Sequence, residues 1–149
     1  MATLTVTHTE SLSLDGRDRS ATKTFTISSI TEIYERTLTI PHTNPTGLVS
    51  FDSSVEGSAV ELPTANVKYI RITNTHASNA IELAIISATN YQITLAAGQT
   101  HVLGAAATCL LAEADNDPSF GTMADLVSIE AQALSASTTV EVYIASISS

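Results

Sequence analysis

Val67-Lys68-Tyr69-Ile70-Arg71-Ile72-Thr73-Asn74 turns Ile70 and Ile72 one way and Tyr69 and Arg71 the other. Successive side chains of a strand point to opposite faces, so strict period two over this stretch reads as a strand with one buried face. A polar turn over residues 74–79 follows, and Ile81, Leu83 and Ile85 return with the same period. Tyr91, Ile93 and Leu95 continue it. The turn Ala96-Ala97-Gly98-Gln99 then leads into His101-Val102-Leu103.

The rhythm extends outward in both directions. At the start, Leu4, Val6, Leu12 and Leu14 share one phase, and Thr3, Thr5, Thr7, Thr9, Ser11 and Ser13 share the other. This predicts a half-buried strand or strand pair, with Asp15-Gly16 as a turn signal. Ala21, Phe25 and Ile27 alternate with Thr22, Thr24, Thr26 and Ser28. Tyr34, Arg36, Leu38 and Ile40 alternate with Glu35, Thr37 and Thr39, and the adjacent Ile33 and Tyr34 predict a bulge. Residues 41–47 read as a loop, 48–51 as a short strand, and 59–62 as a short edge strand inside a polar loop. Towards the end, residues 109–112 read as a buried strand, with a short helix over 105–114 as the alternative. Residues 113–121 read as a loop, and 126–134 and 140–147 as the last two strands. About ten short segments spaced by roughly 8–12 residues predict an all-β chain: one antiparallel β-sandwich, jelly-roll-like, with about 8–10 strands. No repeat and no linker-like shift in composition divides residues 1–149, so one domain is expected.

Composition narrows the function. The 149 residues are 44% hydrophobic and only 14% charged, with net charge -9 and about a quarter Ser and Thr. Apolar content of this size excludes a disordered acidic tail. Phosphate binding needs clustered cations. Here Lys23, Lys68, Arg17, Arg19, Arg36 and Arg71 are scattered, and Asp15 and Asp18 flank the closest two. No nucleic-acid partner and no membrane partner is expected. No stretch approaches the ~18 apolar residues of a membrane helix. Met1 to Val6 has no basic segment or continuous apolar core, so synthesis and folding in a cytoplasm, without a secretory leader, are expected. The single Cys109 excludes an intrachain disulfide and reads as a small buried hydrophobe.

Candidate chemistries fall away in turn. Glu113-Ala114-Asp115-Asn116-Asp117-Pro118 spaces oxygen ligands as a calcium loop does, but Pro118 replaces the required glycine and no bidentate Glu follows. It reads as a solvated acidic turn. His8, His42, His76 and His101 form no metal-ligand pair. No Gly-x-Ser-x-Gly elbow or phosphate loop occurs, and no motif supports the carboxylate pairs Glu32/Glu35 or Glu130/Glu141. No catalysis, metal or cofactor is expected. The Thr-x-Thr runs admit an ice-binding reading, but they lack a regular repeat, and threonine is a good strand former. The favoured reading is a protein interface. Tyr34/Arg36 and Tyr69/Arg71 each place a Tyr and an Arg on one strand face, and both types are enriched in hot spots. Few lysines leave strand edges weakly defended, which suits a chain living in an assembly.

The segments 67–74, 81–85 and 95–103, with Leu12-Ser13-Leu14-Asp15-Gly16 and Ile30-Thr31-Glu32-Ile33, also carry a resemblance. They share an "R-I-x-N" strand, a turn, an alternating strand and an "L-x-A-G-x" turn. Over about half of its length the chain resembles small virion proteins of tailed bacteriophages, particularly cyanobacterial and marine phages. The resemblance implies a small β-sandwich copied many times on a particle. A capsid decoration or cement subunit is the leading expectation, with the virion as its location. Its expected partners are itself, as a homo-oligomer with a trimer as the default, and the major capsid protein or another virion protein. A neck, tail or fibre component is the nearest alternative. A carbohydrate-binding β-sandwich is the alternative of another class, although the chain has no Trp and seven aromatics in all.

Overall fold

The computed structural model describes residues 1–52, 61–108, 110–111 and 121–148, and strand dominates throughout. The first thirty residues hold β1 (Ala2–Glu10), β2 (Ser13–Leu14), β3 (Arg17–Asp18) and β4 (Ala21–Ile30). Then come β5 (Glu32–Ile40), β6 (Thr46–Asp52), β7 (Glu61–Pro63), β8 (Val67–Asn74), β9 (Ile81–Ile86), β10 (Tyr91–Leu95) and β11 (Thr100–Leu103). The last four are β12 (Leu110–Leu111), β13 (Met123–Ala124), β14 (Ser128–Ala133) and β15 (Thr138–Ser146). The 3-10 turn Thr64–Asn66 is the one helical element among the described residues, and none is long and apolar enough to cross a membrane.

Two sheets form the body, in the orders β11-β8-β15-β5 and β10-β9-β14-β6-β7. Setting aside β7, a short parallel addition to β6, eight strands remain, and their pairing is nested. β5 pairs with β15, β6 with β14, β8 with β11, and β9 with β10, all antiparallel. A long hairpin folded over on itself gives this nesting, and it is the topology of a jelly roll. The expected all-β sandwich is what the structure shows.

Alternation decides which side chains meet between the sheets. β8 contributes Ile70 and Ile72, β15 contributes Val140, Val142 and Ile144, and β9 contributes Ile81, Leu83 and Ile85, all essentially inaccessible to solvent. Ile129, Ala131 and Ala133 of β14 lie beside the β9 residues and face those of β8 and β15 across the gap. The small alanines leave room for the β-branched residues opposite, as close packing requires.

Two polar residues among those described are wholly inaccessible to solvent, Asn74 and Thr138, and Asn74 makes the larger set of bonds. Asn74, at the end of β8, is fully buried. Its Nδ2 donates to the carbonyls of Asn79, Leu95 and Ala96 at 2.8, 3.1 and 3.1 Å. Its Oδ1 accepts from the His76 amide at 3.1 Å, and its main chain bonds to Gln99 and Gly98. The turn leaving β8 and the turn between β10 and β11, both of which cross from one sheet to the other, are thereby held together. The "N" of the R-I-x-N pattern is a clasp as well as a turn residue.

Two local expectations are corrected. No bulge occurs at Ile33/Tyr34: β5 pairs with β15 without a register shift from Glu32 to Ile40, and Ile33 is simply an outward residue opposite Ala145. The irregularity sits earlier. Between Ala2 and Leu4 the β1–β4 register gains one residue on β4, where Ser29 takes φ 65. The extra residue turns the chain out of one sheet into the next, as bulges do. The helix weighed over 105–114 is absent at 105–108, and Cys109 and the rest of that stretch lie outside the described residues apart from β12.

Replacing Asn74 by Leu takes the donor from three carbonyls, that of Leu95 buried and those of Asn79 and Ala96 part-buried. Each such loss costs on the order of 1–3 kcal/mol. The expected outcome is destabilisation of about 3 kcal/mol or more in denaturant unfolding. A change within a few tenths of a kcal/mol would show that the clasp carries no weight.

Candidate interaction surface

The first thirty residues form a ribbon that belongs to neither sheet. The type of turn fixes a hairpin's register. Here Asp15 (φ 50) and Gly16 (φ 71) both take left-handed backbone, as a two-residue type I′ turn demands. Every pair from Leu14↔Arg17 and Ser13↔Asp18 back to Glu10↔Ala21, Thr7↔Thr24 and Leu4↔Ile27 is equidistant from that turn. The Arg19 amide to Leu12 carbonyl bond of 2.8 Å bridges the gap between the two strand pairs. The threonines therefore lie opposite threonines, with the Thr7 and Thr24 hydroxyls 3.1 Å apart. This matched pair of alternating runs around Asp15-Gly16 was a sequence signal for one long hairpin.

The base of the ribbon lies on the outer face of the four-stranded sheet. Val6, Ile30, Tyr69 and Ala145 are buried together, with Leu4, Ile27, Val102 and Tyr143 packed around them. Ala145 sits directly opposite Tyr69 on the neighbouring strand and offers no bulk. The Tyr69 ring meets Tyr143 edge-on, with centroids 6.3 Å apart. Arg71 lies opposite Tyr143, its guanidinium carbon 5.1 Å from that ring, and it forms an ion pair with Glu141. Burial pushes the Tyr69 phenol above its ordinary value, against a lowering by Arg71 and with a further rise from Tyr143. Tyr69 is therefore a neutral, packed group.

Beside β1, between the ribbon and this sheet, runs an open groove of about 530 Å³. Residues 4–9 line it consecutively, and Tyr69, Arg71, Tyr143, Thr100 and Val102 form its floor. Beyond the groove the ribbon leaves the body. At about 3.3 Å per residue, residues 2–15 span roughly 45 Å, against roughly 30 Å for the nine-residue β15. Solvent reaches nearly the whole outer length, and Leu12, Leu14 and Phe25 are 52%, 54% and 45% exposed. Phe25 has only His8 stacked on it, with centroids 6.2 Å apart.

The four residues expected at an interface divide into two places. Tyr69 and Arg71 share a face, as alternation requires, but the chain's own ribbon buries Tyr69, 5% exposed, and leaves Arg71 half-buried at the groove. Tyr34 and Arg36 are on the inward phase of β5, on the other side of the same sheet. Tyr34 packs against the main core, and Arg36 is exposed, with its Nη1 3.5 Å from the Tyr34 hydroxyl. The two pairs do not form one surface.

The remaining candidates are dispersed. His42 bonds to the Ala133 carbonyl, and His76 Nδ1 accepts the amides of Ser78 and Asn79. His101 lies 3.1 Å from the Tyr91 hydroxyl. Glu141 and Glu130 are on the outer faces of opposite sheets. Among the described residues no group of three metal-binding side chains comes together. The Glu113–Pro118 turn lies outside the described residues. No protein-family model matches this chain, and no curated protein has a matching sequence.

Two outcomes follow from this geometry. Tyr69→Ala removes the largest side chain beneath the ribbon, a truncation worth about 3 kcal/mol at a packed aromatic site. Amides of β1 and β4 should then exchange faster while those of β9 and β14 keep their protection; unchanged β1 exchange would show that Tyr69 does not anchor the ribbon. The second concerns His101, whose burial lowers its pKa below the ordinary 6.5. The unfolded chain takes up that proton at higher pH than the folded one. Stability is therefore full above 6.5 and declines as pH falls from there to the folded value. His101→Gln should flatten this decline in melting curves, and an identical slope in the variant would assign it to other groups.

Proposed function

We propose that this chain is a structural virion subunit of the capsid-decoration class, acting by protein–protein contact as a homo-oligomer. The observation that carries this reading is the ribbon, anchored on a jelly roll, which leaves Leu12 and Leu14 near its turn and Phe25, opposite Val6 at its base, exposed to solvent. Large apolar side chains left exposed along one ribbon mark it as an interaction site. A decoration subunit works by many modest contacts repeated over a shell, and an arm reaching past its own body multiplies the neighbours each copy touches. The resemblance of residues 67–74, 81–85 and 95–103 to small virion proteins of tailed phages supports the same reading. The partner is then the major capsid protein, and the location the outside of the head. The carbohydrate-binding alternative is weaker, because Tyr69 is packed under the ribbon and offers no ring face for stacking.

The test uses labelled protein added to phage particles that lack it. Wild-type chain should bind heads and raise their resistance to heat. Replacing Leu12, Leu14 and Phe25 together by Ser should leave the melting curve of the free subunit nearly unchanged, because these side chains are outside both cores. Occupancy should fall steeply, since hot-spot truncations cost about 2 kcal/mol or more each. Binding only at the neck or tail would move the subunit there, and full occupancy by the triple variant would remove the arm from the contact.

A further inference from the structure

The register of the ribbon gathers charges that lie scattered in the sequence. Residues opposite each other in an antiparallel pair share a face. Leu14↔Arg17, His8↔Lys23 and Val6↔Phe25 therefore lie on one side of the ribbon, with Leu12 and Arg19 in the same phase. Three of the six lysines and arginines stand on this face, with the exposed Leu12, Leu14 and Phe25, against one acid, Glu10. Asp18 turns to the other face, where it accepts the Ser20 amide at 2.8 Å. Arg17, Arg19 and Lys23 are all exposed, and the one ion pair among the described residues is Arg71–Glu141. Glu10, Asp15 and Asp18 offset these cations within residues 1–30, so the net charge of -9 belongs entirely to the rest of the chain.

The outer face of the five-stranded sheet is the complement of this one. None of its five strands contains a lysine or an arginine. Glu82 and Glu130 flank Ala84 in a depression of about 100 Å³, with Pro45, Gln92 and Gln132 around it. Glu130 is opposite Ala84, and Glu82 is two residues along β9, so the carboxylates are diagonal neighbours. Such neighbours are roughly 7–8 Å apart. Arg17 and Arg19, two residues apart on extended chain, are separated by roughly 7 Å. The cations thus match the carboxylates in spacing as well as sign, and Leu12 and Leu14 stand across from the arginines to meet Ala84 and Pro45. A body of charge -9 is repelled by nucleic acid and by an anionic membrane, which leaves an acidic protein face as the fitting partner. The ribbon lies on the four-stranded sheet and the depression is on the opposite side of the sandwich, so one chain cannot fill its own. We infer that the outer ribbon of one copy docks on the five-stranded sheet of a second copy, Arg17 and Arg19 pairing with Glu82 and Glu130. The contact uses residues 12–19 and leaves Leu4, Val6 and Ile27 on their own sheet. It joins two different patches, so rotation closes it into a ring, of which the expected trimer is one, or leaves an open chain. This names the contact between copies in the proposed homo-oligomer and rests on that reading.

Sedimentation of the full chain at about 200 µM in low salt should show species heavier than 15.6 kDa. Arg17→Glu with Arg19→Glu should weaken association by about tenfold or more, and so should Glu82→Arg with Glu130→Arg. A chain carrying all four substitutions has the two charges exchanged and should associate again, which a misfolded chain would not do. Salt at about 1 M, where charges act over only roughly 3 Å, should weaken the wild-type contact. A monomer, association indifferent to either pair, or no recovery in the fourfold variant would overturn the docking. So would a wild-type chain that stays monomeric and binds vesicles of anionic lipid through its arginines, which would give the ribbon a membrane partner instead. A monomer that still decorates particles removes this contact and leaves the decoration role standing. Association through these charges in a chain that never joins particles does the reverse.

Discussion

The carboxamide of Asn74 sits where the turn after β8 approaches the turn between β10 and β11, and it bonds to both. Hydrophobic burial holds the two sheets face to face, but it is non-directional and does not set how their ends meet. A buried amide with three carbonyl partners does set it, because any slip of one turn against the other strands polar groups away from water. The same end of the body carries β11, whose residues Thr100 and Val102 floor the groove beside β1. The geometry that positions the candidate interaction surface thus depends on one side chain remote from it.

The two outer faces of the body have different fates. On the five-stranded sheet the outward phase presents Glu82, Gln92, Glu130 and Gln132 around a shallow depression, a face suited to water. On the four-stranded sheet it presents Tyr69, Val102, Tyr143 and Ala145, which need cover. The ribbon supplies that cover, but it is longer than the strands it lies on. Its hydrogen-bonding register runs from Asp15-Gly16 down to Leu4, so it cannot shorten without breaking paired backbone. The excess length projects, and with it the apolar residues that continue the covering phase. Anchored base and free arm are two consequences of one hairpin.

Seen this way, the low charge of the chain and its threonine richness have a common physical origin. Threonine tolerates both faces of a strand: its methyl packs and its hydroxyl bonds across to another threonine, as Thr7 and Thr24 show. A ribbon with such a face carries few charges, and Lys23 is its one lysine.

Alternation along the chain by itself determined the strands and their inward residues. Ile70 and Ile72, Ile81 to Ile85, and Val140 to Ile144 are core where the period put them, and Tyr69 and Arg71 share a face as read. Asp15-Gly16 marked its turn. These are local properties, fixed by the two-residue period of extended backbone. Only the tertiary structure decided the rest. The Ile33/Tyr34 phase break reads like a bulge, yet the register is unbroken: Tyr34 packs against the main core and Ile33 points outward, 48% exposed. Asn74 reads as a turn former, and its burial comes from the meeting of segments some twenty residues apart. The Tyr69/Arg71 face reads as open, and the ribbon buries its tyrosine. Periodicity states which side of a strand is apolar; what comes to lie against that side is settled by contacts between segments far apart in the chain.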